Sequence, residues 1–188
     1  MMNTPIFYSF LFIHVISFIV GFGSVILVDT FGLLFLFKRI KLSLVNQVAN
    51  VATKLIWLGL TGLIISGSVL IYHKGFIDEL TWIKLFFVAM LACNGVFLGY
   101  LKKSTEKFSD TDTLPPIIMF RTGLASTISQ LGWWGAIIIG FVHRHIEHYI
   151  PYPPYPWPFI IMAAIVIGIG TAAIIGNTLL IKNYTKSR

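Results

Sequence analysis

The chain has 188 residues, of which 56% are hydrophobic and 11% are charged, and its net charge is +7. Soluble domains usually carry about 25% charged residues, so this charge density is too low to cover a surface that faces water. The composition therefore excludes an ordinary soluble globular domain and indicates a chain surrounded largely by lipid.

Five apolar segments follow one another, each about 20 residues long, which is the length needed to cross the hydrocarbon core of a bilayer. Lipid offers no hydrogen bonds to the backbone and the segments show no alternating strand pattern, so they are predicted to be α-helices. The predicted fold class is all-α, a five-helix transmembrane bundle in one membrane domain over residues 1–188. The predicted spans, numbered 1 to 5, are residues 6–28, 49–72, 82–101, 123–142 and 159–181. No Lys or Arg precedes the first apolar run, so span 1 is not expected to be a cleaved signal peptide.

Most of the positive charge lies on or beside alternate connections between the spans. Basic residues follow span 1, lie between spans 3 and 4, and end the chain; with Lys54 they make up eleven of the fourteen Lys and Arg residues. The positive-inside rule then predicts an outside N-terminus and a cytoplasmic C-terminus. The expected location is the inner (cytoplasmic) membrane of the cell. The basic excess is therefore a topology signal, and nucleic acid is not an expected partner.

Small and polar residues share one face of span 1, within an arc of about 140° when residues are placed 100° apart. They are His14, Ser17, Gly21, Ser24, Asp29 and Gly32. This face is predicted to contact protein, whereas the opposite side, with Phe12, Ile19 and Phe22, is predicted to face lipid. Gly21 is expected to leave room for a flat macrocycle or a quinone. Asp29 is expected to form a structural ion pair with Lys54 or Arg121, with a role in a proton relay as the alternative.

The other spans carry similar faces. The residues that share a face of span 2 are Ala52, Gly59, Gly62, Ser66 and His73. The residues that share a face of span 3 are Lys84, Val88, Leu91, Gly95 and Gly99. Span 4 aligns Ser126, Ser129, Gln130, Trp133, Ile137 and Gly140. The four-residue spacing in span 5 suits close helix packing and involves Gly168, Ala172 and Gly176.

All histidines fall in the predicted outer half of the membrane or just outside it. They are His14, His73, His143, His145 and His148. An imidazole on the inward face of a membrane helix is costly to bury and is a common ligand of haem iron and of transition metals. The five are therefore the candidate metal ligands, and a packing role, bonded to a backbone or hydroxyl group, is the alternative for His14. Lys84 either snorkels to the surface, neutralises a propionate or quinone anion, or acts as a neutral amine ligand.

The connection after span 4 reads HRHIEHYIPYPPYPWP, residues 143–158. If the helix of span 4 continues, His143 and His145 project about 200° apart and cannot bind one metal from that helix. Arg144, Glu147 and His148 then extend its inward polar face. If the helix ends at residue 142, an extended backbone places His143 and His145 on one side, where they can chelate. The prolines predict a stiff, extended second half, with tyrosines and tryptophan at the membrane interface.

The sequence resembles the HemJ-type protoporphyrinogen oxidases and the CopD-like copper-resistance membrane domains over roughly residues 8–140. An early histidine precedes glycine in span 1 (HVISFIVGFG), and a weakly polar span 2 leads to a span 3 that opens with TWIKLFFVAML. Span 3 closes on GYLKKSTEKF, and Arg121 stands just before span 4. The resemblance implies that His14 and Lys84 are the positions associated with haem b and with activity, Lys84 being the candidate catalytic residue.

The leading hypothesis is a membrane protein that binds haem b in the outer half of the bundle, for electron transfer or porphyrin oxidation. His14 would be one axial ligand, His73 or His148 the second. Arg144 or Lys84 would face the propionates through charge-assisted hydrogen bonds. The expected partners are lipid, a porphyrin or quinone, and either a second copy of the chain or a membrane redox protein.

Two alternatives belong to other functional classes. The first is a CopD-like copper-handling or transport protein with ligands drawn from His73, His143, His145 and His148. The single Cys93 and the few inward methionines count against transport of Cu(I), which prefers sulfur ligands. The second alternative is a structural or assembly subunit of a membrane complex, with no site of its own.

Overall fold

The computed structural model describes residues 5–108, 113–145 and 155–186, with side chains described as far as residue 141 in the second segment and residue 182 in the third. Within these residues the secondary structure is helical, without strands. The five helices are α1 (Pro5–Leu36), α2 (Leu42–Lys74), α3 (Glu79–Glu106), α4 (Pro116–His145) and α5 (Trp157–Lys186). All five are long and apolar enough to cross a membrane. The all-α class and the five candidate spans are thus confirmed, and the orientation of the termini stays a prediction.

Every helix is longer than the span predicted from hydropathy. The shortest, α3, has 28 residues, and the longest, α2, has 33. At about 1.5 Å per residue even α3 is roughly 42 Å long, more than the 30 Å of a typical hydrocarbon core. The extra turns carry polar residues into the helices, so Arg121 lies in the second turn of α4 and not in a loop before it.

The helix ends follow from local backbone chemistry. Gly75 ends α2 in the left-handed conformation, with φ of 79°, and donates its N–H to the carbonyl of Ile71 at 3.1 Å. Glycine favours this conformation because it has no Cβ to clash with the backbone. Helix α4 begins at Pro116, a position where the missing N–H of proline costs nothing because that group has no partner within the helix.

The chain divides into two compact units, unit 1 (Met1–Asp78) and unit 2 (Glu79–Arg188). Unit 1 contains α1 and α2, and unit 2 contains α3, α4 and α5. That both units belong to a single membrane domain stays a prediction.

Unit 1 is an antiparallel helical hairpin packed through small residues. Gly59 lies directly on Gly21, so closely that a Cβ at Gly59 would stand 2.6 Å from the Cα of Gly21. One turn away, the side chain of Ser17 fills the space over Gly62. The predicted inward faces of spans 1 and 2 are therefore confirmed at these positions. Phe22, predicted to face lipid, is instead buried, because the contact arc is wide enough to include this ring, which stacks on Phe18 at a centroid distance of 5.4 Å.

Unit 2 packs large side chains of α3 onto glycines of α4. A Cβ at Gly135 would meet the ring of Phe87 at 2.5 Å, and one at Gly132 would meet Leu91 at 2.7 Å. The residues predicted for the inward face of span 3 are half-buried, except for Leu91, because a second set that includes these large side chains is the buried one. That set is Leu80, Thr81, Ile83, Phe87, Leu91, Asn94, Leu101 and Thr105, and only Leu91 belongs to both.

Helix α5 packs on α3 and α4 through a few residues only. Gly176 receives the ring of Phe120 from α4, as the predicted packing role requires. Gly168, two turns earlier, has no described atom from another helix within 4 Å of the position that a Cβ would take, and Ala172 is exposed. Close packing along the whole glycine–alanine series of span 5 is therefore not observed in the described residues.

Candidate functional site

The best-defined polar contact between helices in unit 1 joins His14 of α1 to Ser66 of α2. The Nδ1 atom of His14 lies 2.9 Å from the hydroxyl oxygen of Ser66. His14 is half-buried, whereas Ser66 is fully buried, with 0% exposure. Ser66 in turn donates its hydroxyl to the carbonyl of Gly62, one turn earlier in α2, at 2.5 Å.

Gly67 gives the imidazole ring its place against α2. A Cβ at Gly67 would stand 3.4 Å from Cε1 of His14 and 3.7 Å from Nδ1, so the ring lies flush with this glycine. The ring is thus held by a hydrogen bond at Nδ1 and by the helix surface at Cε1. The inward position predicted for His14 agrees with this geometry. The hydroxyl contact also matches the packing alternative for His14.

The space expected beside Gly21 is filled. Gly59 occupies it with its own backbone, and Ser17 closes the next turn of the helix pair against Gly62. The expectation that Gly21 leaves room for a macrocycle or quinone is therefore wrong: here glycine serves close approach of two helices, a common use of small residues in membranes. Any flat ligand of His14 has to approach from outside the contact between α1 and α2.

His73 lies on the same face of α2 as Ser66, seven residues further along, which corresponds to about 10 Å of helix rise. It is half-buried, and its ring centroid is 6.0 Å from that of Tyr72. The turn that follows is fixed by an ion pair between Lys74 and Asp78 at 2.5 Å. His14 and His73 thus belong to one hairpin but lie at different levels along it.

Lys84 of unit 2 is half-buried and lies across α4. Its Nζ is 3.6 Å from the position that a Cβ would take at Gly140. The inward direction predicted for Lys84 is consistent with this contact. Its predicted roles in catalysis and propionate binding stay predictions.

Helix α4 continues through His145, so the backbone of the HRHIEH segment is helical over its first three residues. The extended His143–His145 chelate is therefore wrong, because it required the helix to end at residue 142. Arg144 comes one turn after Gly140 in the same helix. His148 lies outside the described residues, as does Glu147.

Within the described part of the chain, no group of three or more His, Cys, Asp or Glu side chains is placed to hold a metal ion. Cys93 is exposed on α3. The assignment of metal ligands therefore stays a prediction. The assigned residues are His14, His73, His143, His145 and His148.

Arg121 links α4 to α5. Its Nε donates to Oδ1 of Asn177 at 2.9 Å, and the amide of Asn177 donates to the carbonyl of Ala173 at 2.8 Å. The ion pair proposed from sequence between Asp29 and either Lys54 or Arg121 stays a prediction.

Asn94 is a buried polar residue that the sequence analysis missed. Its amide nitrogen, in the middle of α3, donates to the carbonyl of Ala125 at 2.7 Å and to the hydroxyl of Ser129 at 3.3 Å. Ser129 was predicted to face inward, and it is buried. An asparagine in the centre of an apolar span was the available signal, since such a side chain is costly in lipid without a partner.

The whole chain was also compared with known proteins. No protein-family model matches it, and neither does any curated protein or any solved structure. The resemblance to HemJ-type and CopD-like proteins stays a prediction that rests on the short motifs of spans 1 and 3 and on Arg121.

Proposed function

We propose that the chain is a multi-pass protein of the cytoplasmic membrane that binds haem b through His14, for electron transfer or porphyrin oxidation. The observation that carries this proposal is the imidazole of His14, half-buried on an apolar helix and oriented through Nδ1 by Ser66. Histidines that ligate metals usually have their second ring nitrogen held in this way. The resemblance to HemJ-type proteins supports the same assignment.

A haem site needs fewer protein ligands than a site for a bare metal ion. A zinc site takes three or four protein ligands, whereas haem iron needs only one or two, because the porphyrin supplies the others. The described residues contain no group of three ligand side chains, but they do contain an oriented histidine. A single axial histidine is therefore enough for the proposed site.

The close packing of α1 against α2 also limits where a porphyrin is able to lie. The contacts of Gly59 with Gly21 and of Gly62 with Ser17 close the space between α1 and α2. The ligand would therefore contact the part of His14 that remains exposed outside this contact. When bound, haem supplies one-electron redox chemistry. The chain would hold the haem through the imidazole of His14 and shield that imidazole with apolar side chains, and such an apolar surrounding tunes the redox potential.

His73 is the candidate for a second axial ligand within unit 1. His73 lies about 10 Å beyond Ser66 along α2. A site with His14 as its single histidine ligand therefore fits the geometry of this hairpin as well as a site with both histidines. Lys84, Arg144 and His148 enter the proposal from the sequence alone, Lys84 and Arg144 as the groups that would bind propionates. The position of the N-terminus outside the membrane is likewise proposed from the sequence alone.

An absorbance spectrum of the purified protein tests the proposal. The full chain is produced in haem-replete cells, purified in detergent, and measured oxidised and reduced. We expect a Soret band for the native chain and its loss in His14→Ala. Phe12→Ala is the matched control, since Phe12 is 67% exposed on the same helix and should leave the band unchanged.

A native chain without a Soret band contradicts the proposal, and so does an unchanged band in His14→Ala. Copper that co-purifies and is lost on replacement of His143 and His145, with His14 dispensable, would favour the copper-handling alternative. A partner complex that stays fully active with both His14→Ala and Lys84→Ala would favour an assembly subunit.

A further inference from the structure

The hydrogen bonds around His14 assign its tautomer. The hydroxyl oxygen of Ser66 lies 2.5 Å from the carbonyl of Gly62 and 2.9 Å from Nδ1 of His14. A serine hydroxyl carries one hydrogen, and a carbonyl oxygen can only accept. The hydrogen of Ser66 therefore lies on the shorter contact, toward Gly62. Ser66 offers a lone pair to His14, so Nδ1 is the atom that carries the proton.

The surroundings of Ser66 keep this direction fixed. Its second neighbour within α2 is the carbonyl of Leu63, at 3.4 Å, which is again an acceptor. Both backbone contacts thus call for the hydroxyl hydrogen, and the residue is completely buried. Turning the hydroxyl toward His14 would leave two oxygen atoms, those of Ser66 and of the Gly62 carbonyl, 2.5 Å apart with no hydrogen between them, which is a repulsive contact.

We infer that Ser66 is a positioning residue that holds His14 as the Nδ1–H tautomer, so that the lone pair is on Nε2. Gly67 assists, because it lets the ring lie against α2 with Nδ1 beside Ser66. The tautomer assignment stands on these contacts alone. Its consequence, that Nε2 is the atom that ligates haem iron, rests on the proposed function.

This role separates Ser66 from an ordinary packing serine. Without the hydroxyl, Nδ1 loses its acceptor, and the imidazole is able to take the Nε2–H form. That form has no lone pair on the proposed ligand atom. Loss of a group that orients a metal-bound histidine typically lowers metal affinity by about 10- to 100-fold.

Nitrogen NMR of the haem-free chain measures the tautomer directly. The full chain is labelled with ¹⁵N-histidine, and the signals of His14 are those that disappear in His14→Gln. At a pH where the ring is neutral, we expect a protonated Nδ1 and an unprotonated Nε2. Ser66→Ala should move the signals toward the Nε2–H form. Ser68→Ala, an exposed serine that also bonds its own helix, at 2.8 Å from the carbonyl of Ile64, should leave them unchanged.

A native chain with His14 as the Nε2–H tautomer would overturn the inference, whether or not haem binds. Because this measurement needs no variant at position 66, a Ser66→Ala chain that fails to fold does not remove the test. In haem titrations, Ser66→Ala should weaken binding by about 10- to 100-fold while Ser68→Ala does not. A native chain with the expected tautomer but without a Soret band contradicts the proposed function alone.

Discussion

Asn94 shows what a single polar residue contributes at the centre of a membrane helix. It is 6% exposed and donates both amide hydrogens to α4, to the carbonyl of Ala125 and to the hydroxyl of Ser129. In lipid there is little hydrophobic drive between helices, so packing and such hydrogen bonds hold them together. Asn94 therefore also favours one register of α3 on α4, since sliding either helix would leave its amide without these partners.

Replacement of Asn94 by leucine should destabilise unit 2. Leucine keeps nearly the same volume but donates no hydrogen bond, and an interhelical bond in a membrane contributes about 0.6–2 kcal/mol. Ser129→Ala should cost less, because Asn94 retains its shorter bond to Ala125. The free energy of unfolding in mixed micelles measures both. Cys93→Ala, at an exposed neighbour, is the control with no expected change. If Ser129→Ala lowered the free energy of unfolding as much as Asn94→Leu does, the larger contribution expected of the bond to Ala125 would be contradicted.

The sequence predicted the side on which individual residues lie better than it predicted their partners. His14 and Ser66 were both placed on inward faces, yet Ser66 was grouped with His73 and not with His14. Helical periodicity gives the face of each residue, but the pairing depends on the register between two helices. That register is decided where Gly21 meets Gly59, two residues that are far apart in the sequence.

At the scale of helices, close approach of α1 and α2 depends on Gly59. The Cβ of any other residue there would meet backbone atoms of Gly21 and Ser17, each at 2.6 Å. Backbone atoms cannot move aside as the end of a flexible side chain can. A substitution at Gly59 therefore has to push the two helices apart.

Gly59→Ala should weaken the hairpin by on the order of 1–3 kcal/mol, the usual cost of overpacking. Gly23→Ala is the matched control, because no described atom of another helix lies within 4 Å of its added Cβ. Thermal unfolding of both variants, followed by circular dichroism in detergent, gives the comparison. Equal melting temperatures for the two would show that the contact between Gly21 and Gly59 is not needed.

The existence of the helices was predictable, while their ends and rotation were less so. Length and apolarity are enough to identify five helices. Hydropathy does not register polar turns that continue a helix, so Arg121 was placed before α4 when it lies within it. The burial of Phe87 and Leu91 against Gly135 and Gly132 fixes the rotation of α3, and only the shape of the partner helix determines that contact.

On the scale of the whole molecule, the number of cations differs between the first two connections of the helices. Residues 37–41, between α1 and α2, include Lys38, Arg39 and Lys41, whereas residues 75–78, between α2 and α3, include no cation. Beside the second connection, Lys74 is already paired with Asp78. The positive-inside rule counts Lys and Arg in short connections of this kind, so it supports the proposed orientation with the α1–α2 connection in the cytoplasm.

Labelling of single cysteines tests that orientation, since Cys93 is the only native cysteine and Cys93→Ser removes it. Phe37→Cys and Phe76→Cys are a matched pair: both side chains are exposed, by 72% and 61%, and neither change alters a cation. With a maleimide that does not cross membranes, we expect intact cells to label the cysteine at position 76 and to leave that at position 37 unlabelled until the membrane is permeabilised. The reverse pattern would put the N-terminus inside. His14, which lies in the N-terminal half of α1, would then lie in the cytoplasmic half of the membrane, and a haem bound there would exchange electrons from the cytoplasmic side.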